Sequence, residues 1–262
     1  MAQAVANDHG EHSGPKTHGA PGHPPTSLGL NNRKLGLWTF IGNETLFFTA
    51  LITTYLVMKP RNIALGGPHP QEFLGITLTA ILAFILLMSS LTMVLALAAV
   101  ERDDQRGTRL WLGATILLGL MFLGGQAYEF NKLWHEEFTT LQITNADGTT
   151  ERTSVPTHDE AEGIAALQRE HPGAQIAPYP NPQEAVKPVT WTTSLFGTTF
   201  FTMTGFHGTH VAIGVVWLTI VLIMSFRGAI SSRNSLTVEL VGLYWHFVDL
   251  VWVAIFTLIY LI

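Results

Sequence analysis

The sequence predicts an all-α integral membrane protein. It reads as a five transmembrane helix bundle, N-terminus cytoplasmic and C-terminus periplasmic, with a small extramembrane lobe between helices three and four. Three observations predict it. Only 13% of the 262 residues are charged, about half the share usual in soluble domains, and mean hydropathy is +0.29. Those charges crowd into tails and connections, leaving five apolar runs of the ~20 residues a helix needs to cross a bilayer core. Within several runs, polar residues recur at i, i+3, the spacing of one helix face.

Residues 1–32 form a tail of His, Pro and Gly, including His9, His12, His18 and His23. This composition cannot bury a core and reads as disordered. It shows no cleavable signal pattern, so the first helix itself directs insertion. Residues 33–134 hold helices one to three. Helix one runs from about Leu35 to Met58, behind Arg33 and Lys34, and Lys59-Pro60-Arg61 stops it. Helix two, about Phe73 to Val100, has no ionisable residue inside, and Glu101–Arg109 is a tight charged turn. Helix three, about Leu110 to Trp134, carries Gly113, Gly119, Gly124 and Gly125, small residues that let helices approach closely.

Residues 135–192 are polar and form the lobe. Thr140–Val155 alternates like a hairpin around Asp147-Gly148, a turn signal. His158–Gly173 reads as a short amphipathic helix, and Ala177–Pro188 as a Pro-rich return. Residues 193–262 supply helix four (Phe196–Met224) and helix five (Val238–Ile262).

Basic residues orient the bundle. With the N-terminus inside, Lys16, Arg33, Lys34, Arg102, Arg106, Arg109, Arg227 and Arg233 are cytoplasmic. Lys59, Arg61 and Lys132 stand outside, together with Arg152, Arg169 and Lys187 of the long lobe. Long loops count little in the positive-inside rule, so eight stand against three. The lobe is then periplasmic.

Ionisable residues in lipid are costly and normally face the protein interior. Here they are Glu44, Glu129, His207, His210, His246 and Asp249, with Gln126 beside them and Glu239 at the entry of helix five. Rise per residue puts Glu44, His246 and Asp249 in one layer of the inner half. It puts Gln126, Glu129, His207 and His210 in a second layer of the outer half. Three chemistries suit such residues. His-x-x-His beside Glu resembles bundle metal centres, but H-G-T-H lacks the Glu of H-E-x-x-H, and no metal or haem is expected. Buried Glu and His can move protons, and hydrogen bonds between helices can simply lock the bundle. The chain has no cysteine, and its net charge of −5 is too mild to suggest a nucleic-acid partner.

Two motifs carry a family resemblance. TFFTMTGFHGTHVAIG (Thr199–Gly214) and LYWHFVDLVW (Leu243–Trp252) resemble the last two helices of subunit III of haem–copper oxidases, the cytochrome c oxidase family. WTFIGNETLFFTA (Trp38–Ala50) resembles the helix in which that family buries one carboxylate, and GQAYEF (Gly125–Phe130) the outer end of the following hairpin. The resemblance spans residues 35–135 and 193–262, not the tail or residues 136–190. It implies a non-redox subunit of a bacterial terminal oxidase in the cytoplasmic membrane. Such a subunit flanks catalytic subunit I and subunit II, which hold the haem and copper, within a complex extending to subunit IV or a larger respiratory assembly. It implies stabilisation of the catalytic subunit, support of proton uptake through Glu44, and a phospholipid cleft gripped by Trp38, Arg33, Trp245, His246 and Arg227. The familiar mitochondrial form has seven helices, and this chain lacks the first two. A quinol oxidase subunit III and a nitric oxide reductase accessory subunit are the near alternatives. The distant one is a stand-alone proton-coupled transporter, against which stand the lack of an internal repeat and of proline inside the expected helices.

Overall fold

Five apolar runs become five long helices because a bilayer leaves backbone amides no partner except the helix's own carbonyls. The computed structural model describes residues 31–64, 75–181, 186–188 and 195–261. Four of the spans are α1 (Asn32–Ala64), α2 (Ile76–Glu101), α3 (Gln105–His135) and, beyond the lobe, α5 (Leu195–Phe226). The fifth, α6 (Leu236–Phe256), continues as a π-turn at Thr257–Leu261. All five are long and apolar enough to cross a membrane. One end of the bundle carries the α2–α3 and α5–α6 connections and is called here the turn end. The other carries the lobe.

Two expectations need correction. Helix one does not stop at Met58: α1 runs through Pro60 to Ala64. Proline removes only one intrahelical hydrogen bond, and the added turn gains an anchor. The Asn62 side chain is buried and accepts from the Phe196 amide (3.3 Å), one of the donors a helix start leaves free. The all-α reading holds for the spans but not between α3 and α5. There β1 (Glu137–Thr144) pairs antiparallel with β2 (Thr150–Pro156) along one side, and with β3 (Gln175–Pro178) and β4 (Val186–Pro188) along the other. The expected hairpin is present. Gly148 turns it at φ +84°, and the Thr149 amide donates to Asp147 (2.9 Å). The expected short helix is α4 (Glu160–Glu170), with Gly163 set against Val155. The two added strands lie at the start and end of the Pro-rich return, β3 beginning two residues before it, where no alternation marks them. Expectations for residues 1–30 lie outside the described residues.

The helices meet around one tryptophan. Trp245 of α6 is 1% exposed. Its indole ring lies where a Cβ on Gly119 of α3 or Gly214 of α5 would come within 2.7 or 2.8 Å. Its Nε1 donates to Ser89 Oγ on α2 (3.0 Å). Four spans therefore share one side chain.

At the turn end the two connections clasp each other. Asp104 caps α3 through the amides of Arg106 and Gly107 (3.2 and 3.0 Å). Asp103 takes a left-handed φ of +54°, which short polar residues tolerate. Its carboxylate accepts from the hydroxyl and amide of Ser232 (2.7 Å each). First the hydroxyl and then the amide hold the Asp103 carboxyl below the ordinary carboxylate value.

Two predictions follow from this packing and this clasp. Gly119→Ala and Gly214→Ala each lower stability by about 1–3 kcal/mol through overpacking, read as a fall in Tm in detergent, whereas Gly113→Ala, with open space at its Cβ, leaves Tm unchanged. Because the folded pKa of Asp103 is depressed, its stabilisation is present above about pH 4 and lost as pH falls through the folded value. The Tm of the native chain should therefore drop more steeply on acidification than that of Asp103→Ala; parallel curves would refute the clasp.

Candidate functional site

The interior polar residues meet their neighbours one by one, and most pairings differ from the layers expected from helix arithmetic. Glu44 of α1 does not pair with His246 or Asp249. Its Oε2 lies 3.2 Å from Nε2 of His210 on α5. His210 sits one turn nearer the turn end than His207, and that one turn moves it from the expected outer layer to the level of Glu44. The two side chains are 16% and 14% exposed, so they are partly rather than fully buried.

The other nitrogen of His210 sets the proton count. Nδ1 lies 2.8 Å from the Phe206 carbonyl, which can only accept, so Nδ1 carries a hydrogen. In the neutral ring Nε2 then has only a lone pair. A hydrogen bond between Nε2 and Oε2 therefore needs one further proton, on the histidine as an ion pair or on the glutamate as a neutral pair. The contact ties α1 to α5. Tyr244 donates to the His210 carbonyl (3.0 Å), and the Phe48 ring stands edge-on to the imidazole at 5.2 Å. These neighbours fix the pair from α6 and α1.

Glu129 of α3, unlike Glu44, has no histidine partner among the described residues. The Thr79 hydroxyl of α2 donates to Oε1 (2.7 Å), and the Tyr260 hydroxyl in the π-turn donates to Oε2 (3.2 Å). His207 has partners of its own. Its Nε2 donates to the Val248 carbonyl (3.1 Å), and its ring stacks on Trp252 at 4.9 Å. Gln126 of α3 is buried one turn from Phe122, whose ring meets His207 at 5.8 Å. His246 turns to α2, where the Ser90 hydroxyl lies 2.7 Å from its Nδ1, with Asp249 one turn further along α6. Sequence reasoning missed Thr79, Ser89, Ser90, Tyr244 and Tyr260. A Ser-Ser pair inside an otherwise apolar helix two was the available signal. Among the described residues no three His, Asp or Glu converge as metal ligands.

The residues expected to grip lipid separate into three settings. Trp38 is 57% exposed, and with His246 it lines a groove of about 490 Å³ between α1 and α6. Thr45, Phe48, Phe247 and Leu250 complete much of its wall. Trp245 is not at a surface at all, because its ring fills the space between Gly119 and Gly214. Arg33 and Arg227 are exposed at the turn end.

Comparison with known proteins decides the family. The family model described as cytochrome c oxidase subunit III matches residues 180–262. Cytochrome c oxidase subunit 3 of Bacillus sp. (strain PS3) is 32% identical over 88% of this chain and 86% of that protein. The chain belongs to the cytochrome c oxidase subunit III family. Cytochrome c oxidase subunit 3 of Alkalihalophilus pseudofirmus is 31% identical over 93% of both chains. Quinol oxidase subunit 3 of Bacillus subtilis is 31% identical over 87% of this chain and 85% of that protein. The match spans the lobe as well as the helices, which the resemblance drawn from motifs alone did not.

A double-mutant cycle tests the Glu44–His210 pair. Glu44→Gln and His210→Leu should each destabilise the bundle, and the double variant should lose less than their sum, with a coupling of roughly 0.5–3 kcal/mol. Strict additivity would show that the two groups do not interact.

Proposed function

We propose that this chain is the non-redox third subunit of a bacterial terminal oxidase of the cytochrome c type, in the cytoplasmic membrane. It holds the catalytic subunit in place during oxygen reduction coupled to proton translocation. The match to subunit 3 of bacterial oxidases along nearly its whole length carries this reading. Its chemistry supports it. Glu44, Glu129, His207 and His210 are held by contacts between the chain's own helices, and the outer face of α1 is left apolar and open, with Leu46 72% and Val57 64% exposed. Such a face suits lipid or the apolar surface of a neighbouring subunit.

The partners on this reading are subunits I and II, where haem and copper reside. Orientation follows from the basic residues: the N-terminus is cytoplasmic and the lobe lies outside the membrane on the periplasmic side. The α1–α6 groove takes a phospholipid acyl chain, with Trp38 at its rim. The Glu44–His210 pair serves as a proton-holding brace between α1 and α5. Electron transfer belongs to the partner chains.

Purification through this chain in mild detergent tests the proposal. The expected result is haem absorption, a large co-purifying catalytic subunit, and oxidation of reduced cytochrome c. Oxidation of quinol alone would reassign the electron donor. A colourless, solitary chain would overturn the oxidase assignment.

A further inference from the structure

Four polar atoms in the middle of the bundle, on α3, α5 and α6, have no hydrogen-bond partner among the described residues. They are Oε1 and Nε2 of Gln126, Nδ1 of His207 and Nε1 of Trp252. Gln126 is 5% exposed, and His207 and Trp252 are fully enclosed. Phe122 ties the three together. It stands one turn from Gln126 on α3, and its ring meets His207 at 5.8 Å and Trp252 at 4.9 Å. Asp249, one turn along α6 from Trp252, adds an unpartnered Oδ1.

The hydrogen-bonding character of these atoms is defined. Because His207 Nε2 donates to the Val248 carbonyl, Nδ1 of the neutral ring is an acceptor. Gln126 Oε1 and Asp249 Oδ1 also accept, whereas Gln126 Nε2 and Trp252 Nε1 donate. Leaving such groups bare inside a membrane protein is costly, since neither lipid nor apolar side chains can satisfy them. The ligand that fits must both donate and accept, carry no charge, and be small enough for an enclosed space. Water meets each condition, and a buried water normally takes about three hydrogen bonds from groups of this kind.

We propose that Gln126, His207 and Trp252 bind internal water, forming a hydrated pocket within the bundle that Asp249 extends toward the turn end. This holds whichever oxidase the chain serves, since it depends only on the helices of this chain.

The test is X-ray hydroxyl-radical footprinting of the full chain in lipid nanodiscs, with whatever subunits accompany it, in water enriched in oxygen-18. Radicals formed from bound water label adjacent buried side chains. Trp245 is the internal control, being the same residue type, equally buried, with its Nε1 already bonded to Ser89. The expected result is label on Trp252 several-fold faster than on Trp245, falling to the Trp245 rate in Gln126→Leu. Equal rates in the native chain would overturn the proposal without any variant. So would fast labelling of Trp252 that persists in a folded Gln126→Leu.

Discussion

Association of helices inside a bilayer gains nothing from hiding apolar surface from water, because lipid is as apolar as leucine. What remains is close packing and hydrogen bonding between helices. Trp245 supplies both at once. Its ring lies over Gly119 and Gly214, and its N–H reaches Ser89, so α2, α3, α5 and α6 converge on one side chain. The next residue on each of two helices then meets as well: His246 of α6 faces Ser90 of α2. The rotation of α6 about its own axis, and with it the direction of Asp249 and Trp252, depends on that contact.

The polar interior follows a consistent rule. Glu129, His207 and Glu44 are held by hydroxyls, a backbone carbonyl and a histidine respectively, and each of these contacts crosses from one helix to another. Glu129 joins α2 and the π-turn to α3, His207 joins α5 to α6, and Glu44 joins α1 to α5. Among these, only the Glu44–His210 contact joins an acid to a base. It is also one of the ties that hold the least covered span, since α1 lays most of its length on the outside of the bundle. A subunit whose task is to brace a neighbour is served by interior chemistry of this kind, which fixes helices rather than gathering around a substrate.

The lobe shows where reading by pattern reaches its limit. Asp147-Gly148 announced a turn between alternating strands, and the turn is there with the glycine at positive φ. Gln175–Pro178 and Val186–Pro188 carry proline and no alternation, yet both pair with β1. They can do so as short edge strands, where proline's missing donor costs the ladder least. Nothing local marks such segments, because it is the free edge of β1 that selects them.

By itself the sequence determined the number of spans, the sheet hairpin, the family, and which ionisable residues lie within the spans. Those properties follow from run length, residue type and local turn chemistry, all of which are properties of neighbours along the chain. Tertiary structure alone decided who pairs with whom. Adjacent turns of a helix lie 5.4 Å apart, so a shift of one turn in depth exchanges one partner for another. That margin separates Glu44 with His246, as depth arithmetic expected, from Glu44 with His210. It also turned Trp245 from a surface residue into the centre of the bundle, because two glycines on other helices leave the space that its ring fills.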